Sequence, residues 1–411
     1  MIRAGSSLLP WLVFGAVAPA LSCGSSGTEP DLRLPQVAAP LDTVFSSQDG
    51  PVAVVNATVL PMNRNERLTA HTVLVESGTI SALGPDGTVS LPAGTRTVDA
   101  EGAFLLPGLV DAHVHMDQED APAYVAHGIT SVRNMWGWPG LLTIRDRISV
   151  GEILGPTIYS YSPGLDDDPA YWPFTQILAT PEEARAKVQE LATGDWIGYK
   201  LYTDLTRPVY DAIVDEATAI GLPVAGHVPI HVGLDRALEA GQTSLEHMLG
   251  YSQSLTGAYS GWPGSFDEAG MRLLAQATLE AGAWNCPTLE ILRLQNASAH
   301  GNRSEGVRVL WEEGAELLVG TDSGIDVTAP GSSLRDEMLR FQEAGVPPYD
   351  ILRDATVDVA RFLGMEGAFG VIAPGARGDL VLFAGDPSTD VSHAGEPLGV
   401  MLRGTWLEPQ P

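Results

Sequence analysis

The stretch Leu105-Leu-Pro-Gly-Leu-Val-Asp-Ala-His-Val-His-Met116 decides the fold that this sequence predicts. Its apolar run at 105–110 gives way to polar residues, which is typical of a buried parallel strand that delivers its C-terminal end to a site. His113 and His115 stand two residues apart, so on a strand both imidazoles point to the same side. Such a pair can bind one metal ion. Two hydrogen-bonded histidines in a turn are the alternative, and the motif alone leaves both interpretations open.

Downstream of this stretch, short apolar runs alternate with segments of helical periodicity. Helices are predicted at residues 181–192 after a Thr180 cap, 208–220, 232–240, 266–281 and 334–344. Strands are predicted at residues 106–110, 130–133, 157–161, 196–202, 222–226, 243–245, 282–286 and 316–320. Eight strands with intervening helices over roughly 260 residues are typical of a (β/α)8 TIM barrel. The sequence therefore predicts an α/β fold with this barrel at residues 105–365.

Strand-like segments flank the predicted barrel on both sides. Separated by turn signals, they lie at residues 52–60, 72–76, 79–83, 378–385 and 399–406. We expect them to form one small β-sandwich domain from both chain ends, with a first part at 46–104 and a second part at 366–411.

The N-terminal residues have the pattern of an export signal. Residues 1–23 combine a basic residue, an apolar run too short for an ordinary membrane span, and small residues. Ala20-Leu-Ser-Cys23 resembles a bacterial lipoprotein signal, in which Cys23 becomes lipidated; plain cleavage after a small residue is the alternative. We expect an exported protein, periplasmic or attached to the cell envelope only through Cys23, with a flexible linker at 24–45.

The composition excludes several classes of partner. The 411 residues carry a formal net charge of -28. So acidic a surface repels nucleic acid and anionic membranes, which excludes both as main partners. Cys23 and Cys286 cannot form a disulfide framework. We expect a small-molecule substrate, and the sequence leaves open whether the chain forms a homo-oligomer.

Ionisable side chains collect at the C-terminal ends of the predicted barrel strands, where the active sites of TIM barrels lie. They are His113, His115, Lys200, His227, His247 and Asp322. Each alone is a weak signal, and Asp322 taken alone fits a turn residue. Their joint placement predicts one shared site.

Lys200 is the least ordinary of these residues. The chain contains only two lysines, Lys187 and Lys200, yet it places one inside an apolar strand. A buried ammonium group is costly unless it is paired or neutralised. An amine that has reacted with carbon dioxide becomes a carbamate, whose two oxygens can bridge two metal ions. The alternative is a lysine that reaches the barrel mouth and pairs with a carboxylate; the nearby histidines favour the carbamate.

With these residues placed, the chain resembles the amidohydrolase superfamily of metal-dependent hydrolases. It is most similar to the imidazolonepropionase-like and Xaa-Pro dipeptidase-like branch, which has a carbamylated lysine. The resemblance extends over residues 52–406. It rests on Gly108-Leu-Val-Asp-Ala-His-Val-His115, Gly128-Ile-Thr-Ser-Val-Arg133, the strand of Lys200, His227 with His247, Pro287-Thr-Leu289, Gly320-Thr-Asp-Ser-Gly324, and residues 355–364 and 370–382.

The resemblance implies two divalent metal ions, the more buried one on His113, His115 and Asp322 and the second on His227 and His247. Lys200, as the carbamate, would bridge both ions together with a hydroxide that attacks the substrate carbonyl. Asp322 would accept the proton and pass it to the leaving nitrogen. This ligand set suits zinc, and also manganese, cobalt or iron.

The implied activity is hydrolysis of an amide C–N bond in a small substrate such as a dipeptide or an N-acyl amino acid. A lactonase or a deaminase on the same fold, or a non-catalytic binding protein on a decayed barrel, are the alternatives. A deaminase commonly uses one metal and does not need Lys200, which argues against it. Pro229 stands where the family often has a second histidine. His231, two residues on, and Tyr202, beside Lys200 on one strand face, are the candidate substrate contacts.

Overall fold

The computed structural model describes residues 50–325 and 327–408. The export signal predicted at 1–23 and the linker predicted at 24–45 lie outside these residues. No helix in the described part of the chain is both long and apolar enough to cross a membrane.

The structure contains the following β-strands, numbered in chain order. In order, they are β1 Val52–Val59, β2 Leu68–Glu76, β3 Thr79–Pro85, β4 Arg96–Asp99, β5 Phe104–Pro107, β6 Leu109–Val114, β7 Ile129–Asn134, β8 Thr157–Ser160, β9 Gly164–Asp166, β10 Gln176–Ile177, β11 Tyr199–Leu201, β12 Val224–Gly226, β13 Ser244–Glu246, β14 Trp284–Cys286, β15 Leu380–Phe383, β16 Gly399–Leu402 and β17 Thr405–Leu407.

The α-helices of the described residues lie in sequence between β6 and β15. They are α1 Ala121–Ala126, α2 Leu141–Ser149, α3 Pro181–Leu191, α4 Arg207–Ile220, α5 Leu234–Glu239, α6 Leu249–Thr256, α7 Glu268–Ala281, α8 Leu289–Gln295, α9 His300–Glu312, α10 Ser333–Glu343, α11 Pro348–Asp354 and α12 Val357–Phe362, with short 3-10 helices at Gln118–Asp120, Ala297–Ala299 and Val391–His393.

Parallel strands form a barrel from two runs of neighbours. β6, β7 and β8 pair in that order, and the second run has the order β10-β9-β11-β12-β13-β14. The amide of Ile197 donates a hydrogen bond of 2.9 Å to the carbonyl of Ser160, which joins the runs between β8 and β11. Buried apolar side chains of these strands and of the surrounding helices form the main core.

The eighth strand position is an irregular segment at residues 316–320, where a strand was predicted. It bridges to β14 through Asn285 and Leu317 in parallel register. On its other side, the amide of Ala112 in β6 donates to the carbonyl of Val319 over 2.9 Å. These bonds close the ring as the (β/α)8 barrel that the sequence predicts.

The small domain is built from both ends of the described chain, as predicted, and its strands belong to one eight-stranded sheet. Its strand order is β17-β16-β15-β5-β1-β2-β3, and β4 pairs with β1. β5 and β15 are antiparallel partners, which joins the two chain ends in one sheet. Its core includes Val54, Val73, Leu105, Leu380, Met401 and Trp406.

The stretch at residues 105–116 is divided between the two domains. β5 belongs to the sheet of the small domain and β6 to the barrel, which corrects the single strand predicted at 106–110 and the barrel start predicted at 105. Gly108 makes the connection, and a Cβ at this position would lie 2.1 Å from Oγ1 of Thr130. As a consequence, His113 lies within β6 rather than beyond its strand.

Candidate metal centre

The predicted site residues gather at the C-terminal end of the barrel. Potential ligand atoms of His113, His247 and Asp322 all lie within 4.8 Å of one another. His115 joins them through Nε2, which is 2.8 Å from Oδ1 of Asp322. The ring centroids of His227 and His247 are 4.8 Å apart, so the fourth histidine is part of the same group.

Lys200 lies in this group with its side chain fully buried, and Nζ has no hydrogen-bond partner. It interacts electrostatically with Asp322 and His227. Burial lowers the pKa of Lys200 to about 8, against the opposing charges of Glu246 and Asp322. The lower pKa increases the neutral fraction of the amine, which is the form that reacts with electrophiles.

Three histidines are held at Nδ1 by a neighbouring side chain. The pairs are His113 with Glu246 at 2.7 Å, His227 with Thr203 at 2.8 Å, and His247 with Thr288 at 2.7 Å. Such bonds orient an imidazole and leave Nε2 as its ligand atom. Burial lowers the pKa of His247 to about 3, and it lowers the pKa values of His115 and His227 as well. Neutral imidazoles of this kind are competent metal ligands.

Glu246 is itself supported by Arg133, and both side chains are fully buried. Nη2 of Arg133 lies 3.1 Å from Oε1 of Glu246. Burial alone would raise the pKa of Glu246, but Arg133 and His113 outweigh burial and hold it well below its usual range. Because an ionised carboxylate only accepts hydrogen bonds, Nδ1 of His113 donates and Nε2 keeps its lone pair.

Buried atoms that lack hydrogen-bond partners indicate whether the side chains of this site fit a metal ion. Nε2 of His113 and Oδ1 of Asp322 are 3.2 Å apart, and both are buried without a hydrogen-bond partner. With the proton on Nδ1, these atoms are two acceptors that face each other. A cation bound by both would stabilise the pair, so the residues fit a divalent metal ion.

The backbone at the site is strained in the same region. Asp322, His247 and Thr288 have φ angles of 58°, 65° and 50°. This left-handed conformation is uncommon for residues other than glycine, costs about 1–3 kcal/mol for each residue, and is concentrated at functional sites.

The two predicted substrate contacts lie in different surroundings. Tyr202 is buried, and its ring centroid is 4.1 Å from that of His227. His231 is exposed in the turn after β12 and lies outside the cluster of ligand atoms. The structure therefore brings only Tyr202 against the candidate ligands.

A loop at residues 167–175 lies over this side of the site. Nε1 of Trp172 donates to the Tyr202 hydroxyl over 2.7 Å. Nε1 of Trp136 donates to the carbonyl of Pro173 over 3.0 Å, and the Trp136 ring lies 6.4 Å from that of His115. The loop thus packs on the aromatic residues that border the histidines.

Sequence reasoning did not identify Glu246, Thr203 or Thr288 as partners of the histidines. Glu246 directly precedes His247 in a strand that is otherwise apolar and small, and this was the available signal. The two threonines carried no comparable signal, because a threonine in a loop after a strand has no distinctive pattern.

A TIM barrel with histidines, a buried lysine and an aspartate at its C-terminal strand ends defines a metal-binding hydrolase of the barrel class. The chain belongs to the Amidohydrolase family, whose sequence profile matches residues 104–407. This confirms the superfamily that the sequence motifs indicated.

Solved structures with the same fold include two dipeptidase-like enzymes. A putative prolidase from Bifidobacterium longum is 25% identical with a TM-score of 0.73, and the match covers 88% of this chain and 96% of that one. A Xaa-Pro dipeptidase with bound methionine in the active site is 21% identical with a TM-score of 0.72, covering 87% and 100% of the two chains.

Curated relatives include adenine deaminases. The one from Deinococcus radiodurans is 28% identical, over 91% of this chain and 66% of the relative. The chain spans about half the length of several others that it matches.

Proposed function

We propose that this protein is a binuclear metal-dependent hydrolase that cleaves the amide C–N bond of a small substrate, such as a dipeptide or an N-acyl amino acid. One observation carries the proposal: Nε2 of His113, Nζ of Lys200 and Oδ1 of Asp322 are buried in one site without hydrogen-bond partners. The fold likeness to a putative prolidase supports the choice of an amide substrate.

The ligand assignment follows the family resemblance and the clustering of the side chains. One ion would be held by His113, His115 and Asp322, the second by His227 and His247, and the Lys200 carbamate would bridge them. The ligand types suit zinc. When bound, the metal ions lower the pKa of water and polarise the substrate carbonyl.

Carbamylation of Lys200 requires only carbon dioxide. The neutral Nζ forms a bond to the carbon of carbon dioxide as one C=O π bond opens onto oxygen, and Nζ loses one proton to water, which leaves a carbamate with one negative charge. This reaction replaces a buried amine without a partner by an anion among neutral imidazoles and metal ions. In a fully buried side chain such an anion is stable only when it is paired, as it would be with the metal ions.

Asp322 is the proposed proton carrier. Burial would raise its pKa, yet His113 and His247 hold it well below the usual value, so the carboxylate is ionised. It would accept a proton from the attacking water and donate it to the leaving nitrogen. Glu246 keeps the proton of His113 on Nδ1 throughout this transfer.

A deaminase is the second candidate, because curated relatives are named adenine deaminase. Both reactions hydrolyse a C–N bond, but a deaminase releases ammonia from an aminated ring, whereas an amidase or dipeptidase releases an amine from a carbonyl.

A substrate panel distinguishes these activities. The purified full chain, supplied with zinc or manganese and bicarbonate, is assayed with Xaa-Pro dipeptides, N-acyl amino acids, lactones and adenine. The proposal predicts amino acid release from the first or second group, and loss of this release in Asp322→Asn. Ammonia release from adenine alone would establish the deaminase instead, and lactone hydrolysis alone would establish a lactonase.

A further inference from the structure

Two carboxylates lie together at the mouth of the barrel, outside the proposed ligand set. Asp166 is the last residue of β9, and Asp204 follows β11. The amide of Asp204 donates to Oδ1 of Asp166 over 2.7 Å. Asp166 is 0% exposed, and its Oδ2 has no hydrogen-bond partner; Oδ2 of Asp204 is likewise buried without one.

The negative charge of this pair is not balanced by the protein. Across residues 50–325 and 327–408, neither Asp166 nor Asp204 forms an ion pair with an arginine or lysine. Burial raises the pKa of Asp166 to about 7, and the charges of Asp204 and Asp167 act in the same direction. Only His231 and the Tyr171 hydroxyl favour ionised Asp204. An opposite charge placed beside such carboxyl groups favours their ionised form, so a bound cation would be stabilised here by both aspartates.

The strand register places the pair next to the catalytic side of the barrel. Across β9 and β11, Lys200 pairs with Gly164 and Leu201 with Leu165. Asp166 therefore lies level with Tyr202, one step beyond these pairs in the direction of the barrel mouth. The ring centroids of Tyr202 and His227 are 4.1 Å apart. A substrate that reaches both the metal ligands and Asp166 would therefore contact the Tyr202 side chain.

Tyrosine side chains lie near the two carboxylates, and Tyr171 interacts electrostatically with both. The Tyr171 and Tyr202 rings lie 6.4 Å apart. Tyr259 interacts electrostatically with Tyr202, Asp166 and Asp204. Aromatic faces combined with carboxylates are the usual setting for an organic cation.

A metal ion fits this pair less well. The groups of three potential ligands with closely spaced atoms, within the described residues, include neither Asp166 nor Asp204. The pair thus offers two hydrogen-bond-accepting carboxylates near aromatic rings, a combination suited to a protonated amine.

We propose that Asp166 and Asp204 form a subsite that binds a protonated amine of the substrate. The inference rests on the proposed hydrolase function and narrows its substrate: a dipeptide with a free amino terminus is accepted in preference to an N-acyl amino acid. Acylation removes the positive charge that the two carboxylates bind.

The test compares alanyl-proline with N-acetyl-alanyl-proline in the wild-type protein, Asp166→Asn and Asp204→Asn. In the wild-type protein, kcat/KM for alanyl-proline should exceed kcat/KM for N-acetyl-alanyl-proline by about tenfold or more, since hydrogen bonds to charged groups are among the strongest. Each variant should raise KM for the free dipeptide by about tenfold. KM for the acetylated dipeptide should change by less than about twofold. Asp168→Asn is the control, because Asp168 is an exposed acid of the same loop.

Binding of benzylamine, with benzyl alcohol as the neutral counterpart, separates failure of the subsite from failure of the hydrolase. It is measured by calorimetry on the same folded proteins. Hydrolysis without preference for the free amine, unaffected by either variant, would overturn the subsite and leave the hydrolase. Absence of hydrolysis together with benzylamine binding that Asp166→Asn abolishes would overturn the hydrolase and leave the subsite. Equal binding of benzylamine and benzyl alcohol would contradict the subsite even where a variant fails to fold.

Discussion

Nδ1 of His113 in β6 lies 2.7 Å from Oε2 of Glu246 in β13, and both side chains are fully buried inside the barrel. The carboxylate fixes the imidazole tautomer and so determines that Nε2 is the atom left for a metal ion. The ligand geometry at one strand therefore depends on a residue that follows it by more than a hundred positions.

Glu246→Gln should weaken metal binding by about 10–100-fold, because an amide does not fix the tautomer as an ionised carboxylate does. Metal affinity is measured by competition with a chromogenic chelator. Glu239→Gln, at an exposed glutamate of α5, is the control and should match wild type. Unchanged affinity in Glu246→Gln would show that the carboxylate does not orient His113.

Thr288→Val should reduce metal affinity by about 10–100-fold, since it removes the hydroxyl that holds Nδ1 of His247 and keeps the branched shape. Thr288→Ser keeps the hydroxyl and should restore most of the affinity. Equal losses in the two variants would point to packing of the threonine methyl group rather than to its hydrogen bond.

Gly226→Ala should abolish activity and destabilise the fold, because a Cβ there would lie 2.2 Å from the carbonyl oxygen of Leu201 and 3.0 Å from Cδ of Lys200. Overpacking of this kind costs about 1–3 kcal/mol in addition to the backbone cost. Gly221→Ala is the matched control: Gly221 also has a positive φ, but its Cβ would meet nothing within 4 Å. Chemical unfolding should show the larger loss for Gly226→Ala, and equal losses would contradict the packing argument.

The stability of the fold should depend on the ionisation of Glu337 in α10. Its oxygens accept the amides of Leu289 and Glu290, and burial nonetheless raises its pKa from 4.5 to about 8. The folded state therefore binds the proton more tightly than the unfolded state, and this stabilisation is present below about pH 4.5 and is lost as the pH rises to about 8.

Glu337→Gln removes this titration and keeps one acceptor oxygen. As the pH rises from 5 to 8.5, the wild-type protein should lose a few kcal/mol of unfolding free energy that the variant keeps. A tenfold change in proton affinity is worth about 1.4 kcal/mol. Urea unfolding at both pH values checks this. A difference between the two proteins that does not change with pH would refute it.

The fold was predictable because its signals are periodic and local. Thr180 before the proline of α3 predicts a helix start, and its hydroxyl does accept the amide of Glu183 in a capping box. The alternation of apolar runs and amphipathic segments likewise predicts the barrel. The division of residues 104–114 between two sheets was not predictable, because two consecutive buried strands form one apolar run and pairing partners leave no local signal.

The candidate site was predictable only in part, for a similar reason. Residue type and strand position marked His113, Lys200 and Asp322. The hydrogen bond from His113 to Glu246 crosses the barrel, and the approach of Asp204 to Asp166 depends on strand register; no spacing within the sequence encodes either contact.

The central claim is that Lys200, as a carbamate, holds two metal ions together. Its most direct test is the metal content of the purified protein, measured by mass spectrometry after reconstitution with zinc and bicarbonate, in Lys200→Ala and in Lys187→Ala. Lys187 is the other lysine of the chain and forms an ion pair with Glu190 on α3. The account predicts about two ions per chain in wild type and Lys187→Ala, and one or fewer in Lys200→Ala. Two ions retained in Lys200→Ala, with wild-type activity, would contradict it.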